Sequence, residues 1–428
     1  MAVQMEQRAV AVVGGGLTGL AAALAMGRTG RPTHLIDPDG DREDRRTTAM
    51  LGPTIAFLRE LGAWDAMEPE TAALRTMRII DGSRRLVRAP TVTFEASEIG
   101  REEFGRNVPN AAAARALRGA VEECDAITVH RTRLARIEHG NGVTLHLDDG
   151  TAIEVALVVG ADGRRSIVRK AANIDARTWD YPQAAIVTTF AHEVPHRDVS
   201  TEFHTEHGPA TQVPLPGNRS SLVWVTTPHE AERLAAMDAA ELSPLVGERL
   251  AHILGRVDVD GPVQRFPMSS TLAADYAGHR TMLVGEAAHA FPPIGAQGFN
   301  LSIRDVMDAA GMQRDAADPG APEIIAGYRG LRGRDAQFRT LGVDALNRSL
   351  LSGLLPVQAA KAVGLGALKA LPPLRRAVMR EGFEPGRASR AGIGMALGNL
   401  VGRRLQALEP PRFLRRYERA AEITPPRR

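Results

Sequence analysis

Three short stretches of this chain gather residue types that can hold an anion. In VVGGGLTGLAAALA (12–25), Gly14, Gly16 and Gly19 are spaced G-x-G-x-x-G between a strand-like run, AVAVV (9–13), and an Ala/Leu-rich helix expected over 17–29. Glycines at that spacing permit a tight turn, a close backbone approach to a pyrophosphate and close helix–strand packing, and the helix start offers unpaired N–H groups to phosphate. Asp37 closes the next strand-like run (33–37), where a carboxylate can accept hydrogen bonds from a ribose hydroxyl. In LVVGADGRRSIVRKA (157–171) an apolar strand ends at Gly160, Asp162-Gly163 follows, and Ser166 can cap a short helix. Read alone, that stretch is a surface turn. In LVGEAAHAFPPIGAQGFN (283–300) a strand runs into Gly285-Glu286, a stiff loop containing Pro293, Gly295 and Gln297, and then a helix from Gly298 onward.

The third stretch repeats the logic of the first, because a loop that is poor in side chains and feeds a helix N-terminus builds an anion site from backbone N–H groups. Two such sites roughly 270 residues apart suit opposite ends of one large cofactor. A flavin is the natural candidate. Its reduced ring carries negative charge that a helix N-terminus stabilises, and a loop of prolines and glycines lets a flat ring lie against the backbone. His289 reads as a structural histidine tying this loop down.

The elements that must position these loops follow from periodicity. Residues 9–37 form a βαβ opening, helical spacing recurs at 54–62 and 110–122, and 127–160 reads as several short strands. From 184 to 227 the pattern changes to alternating β-branched runs broken by Pro and Gly, an antiparallel sheet. Helices are expected near 229–254 and 298–315, with a strand at 281–285 between them. The flavin-type segments therefore bracket the antiparallel one. The expected division is 1–178 and 268–345 for a cofactor lobe, 179–267 for a substrate lobe and 346–428 for a helical, basic end.

Bulk properties narrow the field. At 428 residues, 44% hydrophobic and 24% charged, the chain is long enough for two globular lobes. A single cysteine, Cys124, rules out an internal disulfide framework and fits a reducing compartment. No signal-type N-terminal segment and no membrane-spanning apolar run is apparent. The net charge of +3 is unevenly spread: residues 375–428 hold 13 Arg and 5 Glu, which leaves about −5 for the rest. No aromatic-interleaved basic patch accompanies this excess, so nucleic acid is not an expected partner.

Taken together, G-x-G-x-x-G, G-A-D-G-x-x-S-x-V-R and the G-E-A-A-H…P…Q-G-x-N run resemble the motifs of the class A flavoprotein aromatic hydroxylases. Within that family, RRTTAM (45–50), TEHGPATQVPLPGNRSSLVW (205–224) and GYRGLRGRD (327–335) are most similar to the ubiquinone-biosynthesis hydroxylases. The resemblance spans residues 8–385 and implies an α/β, p-hydroxybenzoate-hydroxylase-like fold: a Rossmann-type FAD lobe interleaved with an antiparallel substrate lobe. It implies FAD as cofactor, NAD(P)H as a transient reductant and molecular oxygen as co-substrate. A polyprenylated phenol would be hydroxylated on its ring by way of a flavin C4a-hydroperoxide. Gly14, Gly16 and Gly19 would hold the pyrophosphate and Asp37 the adenosine ribose. Arg46 would reach toward the flavin or pyrophosphate, and Asp162 with Gly163 toward the pyrophosphate and the visiting nicotinamide. Gly285 and Glu286, the latter where the family usually has Asp, would meet the ribityl chain or the pyrophosphate region. Pro293, Gly295, Gln297, Gly298, Phe299 and Asn300 would line the ring.

No catalytic side chain is singled out. His192, His204 and His207 read as structural or exposed, and Val213, Leu215 and Trp224 are candidates to face the substrate ring. The same motifs are compatible with a hydroxylase of a soluble aromatic or polyketide, or with a non-catalytic flavin-bound accessory protein. A flavin halogenase is disfavoured, because Trp224 is followed by VTTP rather than the expected W-x-I-P. A geranylgeranyl-type reductase is a weaker alternative. The apolar run 349–374 followed by the Arg-rich end suggests a cytoplasmic protein that associates peripherally with the inner face of a membrane, beside other quinone-pathway enzymes. The competing expectation is a helix packed on the cofactor lobe with a basic tail.

Overall fold

The computed structural model describes residues 8–38, 44–83, 85, 88–292, 297–333 and 355–383. A six-stranded sheet runs in the order Ala277–Gly278, Thr281–Leu283, Leu157–Gly160, Val10–Val13, Thr33–Ile36, Ile127–His130. All neighbours in it are parallel except the first pair. Val10–Val13 is buried throughout, as a strand covered on both faces must be, and its sequence is accordingly an unbroken apolar run. The helix Leu17–Gly27 leaves this strand through Gly14–Gly16 and is buried from Gly19 onward. Its side chains are Ala, Leu and Met, which lose little rotamer freedom in a helix. Leu20, Leu24 and Met26 are all within 1% of full burial, each worth about 1.5–3 kcal/mol. Helices Asn110–Glu122 and Gln297–Gln313 pack against it.

The second sheet has nine strands. Ala176–His192 pairs with Gln264–Ala273 and Val257–Val259 on one side and Arg219–Thr226 on the other; His289–Ala290 lies beyond Gln264–Ala273, and Gly208–Leu215, Val199–Thr205, Thr76–Asp81 and Val92–Glu95 continue the row from Arg219–Thr226. The last two strands come from inside the first cofactor segment, so the sheets are more thoroughly interleaved than periodicity alone suggested. Register decides what each face sees. Ile186, Leu222 and Trp224 lie on one face with Ala210, buried under the helices Pro228–Ala235 and Ala239–Arg249 through Leu234, Leu242 and Val246. Trp224 therefore points away from the cofactor lobe, with the Arg249 guanidinium 4.5 Å from its ring, and its expected place beside the substrate ring is corrected. Val213 and Val223 have the opposite parity and share a face with Ser221. Ser221 Oγ is 2.9 Å from Thr47 Oγ1 and 3.5 Å from Asn107 Nδ2, both on the separate three-stranded sheet of Thr47–Leu51, Gly105–Pro109 and Ala72–Leu74. Leu215 also lies on that face.

Helices Leu355–Ala370 and Pro372–Phe383 supply the expected helical C-terminal region. The basic stretch 384–428 lies outside the described residues. Among the described residues no helix is long and apolar enough to cross a membrane.

Candidate active site

At the end of the first strand, Gly14 has φ +117° and a Cβ there would come within 2.4 Å of the Ala161 carbonyl oxygen. Only glycine fits. A Cβ on Gly15 would strike the Asp37 carboxylate at 1.8 Å, and one on Gly19 would strike the Gly14 carbonyl oxygen at 1.7 Å. Gly16 is different: it is exposed, and a Cβ there would meet nothing within 4 Å. Three glycines are thus required by the protein's own packing, and the fourth opens onto space. Gly16 is also the N-cap of the following helix and provides no side-chain cap, so the helix's first N–H groups are left for a ligand.

Asp37 is almost fully buried beneath this loop. It pairs with Arg118 and, at 3.0 Å, with Arg131, and Arg118 also donates to the Gly15 carbonyl oxygen at 3.2 Å. Sequence reasoning missed both arginines. Arg118 lies on the helix Asn110–Glu122, which no motif marks.

The Asp162-Gly163 turn lies directly against Gly14. Asp162 Oδ2 accepts from the backbone N–H groups of Ile167 at 2.6 Å and Val168 at 3.2 Å. Asp162 Oδ1 is buried with no hydrogen-bond partner among the described residues, an arrangement that costs about 1–3 kcal/mol unless a ligand or water satisfies it. Burial pushes the Asp162 carboxyl above its ordinary range, against the hydrogen bonds from Ser166 and the following N–H groups. Arg169, the last residue of the same motif, is buried and donates to the Ala287 and Arg164 carbonyl oxygens at 2.7 and 2.8 Å. It thereby stitches the second stretch to the third. Arg164 reaches Glu286 at 3.2 Å and Ser269 Oγ at 2.8 Å.

In the third stretch a Cβ on Gly285 would meet Thr18 Cγ2 at 2.9 Å and Ser302 Oγ at 3.1 Å. The start of the first helix and the distant loop are therefore in contact. A buried cluster holds that loop: Asp305 accepts from the Gly285 N–H at 2.8 Å, His289 Nε2 at 2.6 Å and Arg332 Nε at 2.7 Å. Burial pushes the Asp305 carboxyl up, but the charges of His289 and Arg332 and their hydrogen bonds outweigh it and hold the group below its ordinary range. His289 is sandwiched between Tyr276 and Phe291, a structural setting. Asn300 is committed as well. Its Oδ1 accepts from Leu51 N–H and Thr54 Oγ1, and its Nδ2 donates to the Ala49 carbonyl oxygen. Its side chain braces the loop helix on the Thr47–Leu51 strand. Gly298 is exposed and Phe299 half-buried; Gln297 begins the helix, while Pro293 and Gly295 lie outside the described residues.

Arg46 immediately precedes the strand Thr47–Leu51. It donates to Asp44 at 2.8 and 2.7 Å and lies 5.3 Å from the centre of the Phe266 ring. The hydrogen bond to Asp44 raises its already high pKa, burial opposes this, and the charges of Asp44 and Glu286 add to the rise. Asn110 also donates to Asp44, at 2.8 Å. On the substrate sheet His192 is bonded to Ser220 at 3.1 Å and His204 to Glu202 at 2.7 Å, both histidines buried, while His207 is exposed.

These residues fit FAD. An open glycine at a helix start, an unsatisfied buried carboxylate oxygen beside it and a second loop touching that helix make a cradle for a long ligand with a pyrophosphate in its middle. Known proteins agree. The profile of the FAD binding domain family matches residues 7–312. The chain is 34% identical over 383 residues to ubiquinone hydroxylase UbiL of Rhodospirillum rubrum, covering 87% of this chain and 88% of that one. It is 29% identical to 3-demethoxyubiquinol 3-hydroxylase of Escherichia coli, over 87% of this chain and 97% of that one. The crystal structure of p-nitrophenol 4-monooxygenase PnpA from Pseudomonas putida DLL-E4 shares the fold at a TM-score of 0.72 and 18% identity, across 88% of this chain and 98% of that one. The chain belongs to the FAD-binding-domain family of flavoprotein monooxygenases, in the group that includes the ubiquinone-biosynthesis hydroxylases.

Proposed function

We propose that the protein hydroxylates the ring of a polyprenylated phenol in ubiquinone biosynthesis. The substrate class rests on the relatives' activities, at 34% identity over 87% of the chain for one of them. The site itself is supported above all by the contact of Gly285 with Thr18, which makes two distant loops one cradle. The reaction balances as phenol, O2, NAD(P)H and a proton giving the ring-hydroxylated phenol, NAD(P)+ and water. Bound FAD would supply the redox and oxygen-transfer chemistry.

The chain's own residues bind and orient. Gly16 and the helix start behind Gly14 and Gly19 receive the pyrophosphate, with Asp162 and Gly163 beside it. Asp37 addresses the adenosine ribose, held in place by Arg118 and Arg131. Gly285 and Glu286 meet the ribityl region, and the helix start at Gln297–Phe299, braced by Asn300 and preceded by the Pro293–Gly295 loop, lies against the ring. Arg46, paired with Asp44, reaches toward the flavin or pyrophosphate. Val213, Leu215 and Val223, on the sheet face that looks to the cofactor lobe, wall the phenol side and exclude water. We retain 1–178 with 268–345 as the cofactor lobe, 179–267 as the body of the substrate lobe and 346–428 as the C-terminal region. The prenyl tail of such a substrate places the work at the inner face of a membrane, beside other quinone-pathway enzymes.

The test is product analysis with purified protein, FAD, NAD(P)H and oxygen. Mass spectrometry should find one added oxygen on a polyprenyl phenol in detergent, with NAD(P)H oxidation coupled to product. Oxygen transfer to a short soluble phenol alone would reassign the substrate; NAD(P)H oxidation without any product would remove the activity.

A further inference from the structure

Seven large apolar side chains stand exposed among the described residues, and four of them, Val363, Leu371, Leu374 and Val378, fall on the last two helices or, for Leu371, between them. Val363 is 72% exposed and Leu371 52%. At 100° per residue, Leu374 and Val378 lie on one stripe of Pro372–Phe383, and Leu371 immediately precedes that helix. Leu355–Ala370 likewise exposes Ala359, Ala360, Gly364 and Ala370, none with a polar side chain. Burying this surface would be favourable, and leaving it in water needs a reason.

Charge sorts the same helices. Lys361 turns inward to Asp81 at 3.5 Å, and Arg375 to Glu98 at 2.6 Å, both pairs largely buried. Arg375 also caps the first helix through the carbonyl oxygens of Leu368 and Lys369. Lys369 and Arg376 stay exposed and pair with no carboxylate among the described residues. The inward cations thus latch the helices onto Thr76–Asp81 and the end of Val92–Glu95, the outer edge of the substrate sheet. The outward ones border a bare apolar surface.

We propose that this outer face seats on an anionic lipid bilayer. An apolar helix face with cations on its polar side is the arrangement that lies in the headgroup layer. Complementarity selects the occupant. A second copy would bring the same uncompensated cations, and residues 384–428, with 10 Arg and 4 Glu, would bring more; an anionic surface neutralises both. The latches then fix the bilayer at the edge of the sheet that receives the substrate. The inference extends the proposed function by naming the docking surface, but its grounds are exposure and charge, independent of which phenol is used.

The experiment is flotation of the full chain, loaded with FAD, on phosphatidylcholine vesicles with and without phosphatidylglycerol. The parent should float on the anionic vesicles and be released by salt. The triple variant Leu371→Glu, Leu374→Glu, Val378→Glu should partition at least ~10-fold less, with its flavin spectrum and its turnover in detergent unchanged. Val363→Glu, on the other helix, should lower binding in the same direction and guards against misfolding of the triple variant. Equal flotation of parent and variants would overturn the proposal, as would indifference to anionic lipid. Light scattering that finds a dimer lost in the variants, with no vesicle binding, would overturn it in favour of an interface between copies. A parent that floats yet makes no hydroxylated polyprenyl phenol would leave docking standing and remove the substrate reading; the converse result would do the reverse.

Discussion

Around Gly14–Gly19 the shape of the loop is decided by backbone: each required glycine faces a carbonyl oxygen or a carboxylate that a methyl group would strike. At Gly285–His289 and at Asn300 it is decided by side chains that come from elsewhere, chiefly Asp305, Arg332 and the bonds of Asn300 to the Thr47–Leu51 strand. Both loops end at helix starts, and both are proposed to hold the same cofactor. The first is secured by what it excludes and the second by what it pairs. Excluded volume fails locally and abruptly, whereas a buried charge cluster fails as a unit, because removing one member strands the rest.

The largest effect should follow from breaking the second loop at its centre. Asp305→Asn keeps the shape but leaves Arg332 buried beside a neutral amide, and it should cost about 3–5 kcal/mol, read as a lower urea midpoint. The native cluster also predicts acid sensitivity. The folded Asp305 pKa lies below its ordinary value, so its stabilisation is present above the usual carboxylate range and is lost as pH falls through the folded value. The variant should lack this component. A loss below about 1 kcal/mol would mean the cluster is not what holds the loop.

Breaking the first loop should cost less in stability and more in affinity. Gly19→Ala puts a methyl group on the Gly14 carbonyl oxygen, and overpacking of this kind costs about 1–3 kcal/mol. If the strain falls on the loop, FAD should bind roughly 5–150-fold more weakly, measured by titrating apoprotein and following flavin fluorescence. Gly16→Ala meets no atom within 4 Å in the protein itself, so it should fold as the parent does and lose affinity only through its clash with the ligand. Unchanged FAD binding in both variants would dissociate this loop from the cofactor.

The same contrast explains what could be read from the sequence. Local rules, such as glycine spacing after an apolar strand, depend on neighbours in the chain, so the first loop, its helix and the expected carboxylate at Asp37 were all visible. The change to a hairpin-rich sheet near residue 184 was visible for the same reason. Arg118, Arg131 and Asp305 were not, because each acts across a gap of tens of residues or more and sits in an ordinary helix or strand end. Arg332 lies in GYRGLRGRD, a segment that resemblance marked without giving it a role. Trp224 was placed on the wrong side of its sheet, since alternation gives the period of a strand but not which face is covered by helices. The strands Thr76–Asp81 and Val92–Glu95 join a sheet whose other strands lie far along the chain, and no local pattern announces that.

A smaller effect should sharpen the picture of the first region. His34 Nδ1 and His130 Nε2 are 3.0 Å apart on the adjacent strands Thr33–Ile36 and Ile127–His130. Burial lowers both pKa values; His130 adds to the shift at His34, while Asp149 opposes it at His130. The unfolded chain therefore binds protons more readily than the folded one, and stability should fall as pH drops below about 6.5. His34→Gln should flatten that slope. An unchanged slope between neutral pH and the onset of carboxylate titration would place the sensitivity elsewhere.

The smallest expected change separates binding from packing in the second loop. Glu286 is 54% exposed and its partner Arg164 38%, so solvent screens the pair and it is worth about 0–1 kcal/mol. Glu286→Gln should leave the urea midpoint nearly unmoved, in contrast with Asp305→Asn twenty residues further on. If Glu286 addresses the ribityl region as proposed, the amide should still weaken FAD binding, because a charged acceptor makes the stronger hydrogen bond to a hydroxyl. Glu286→Asp restores the charge one methylene shorter and should recover much of that loss. A midpoint shift comparable to that of Asp305→Asn, with FAD affinity intact, would make Glu286 part of the scaffold and leave the ribityl contact to the Gly285 backbone.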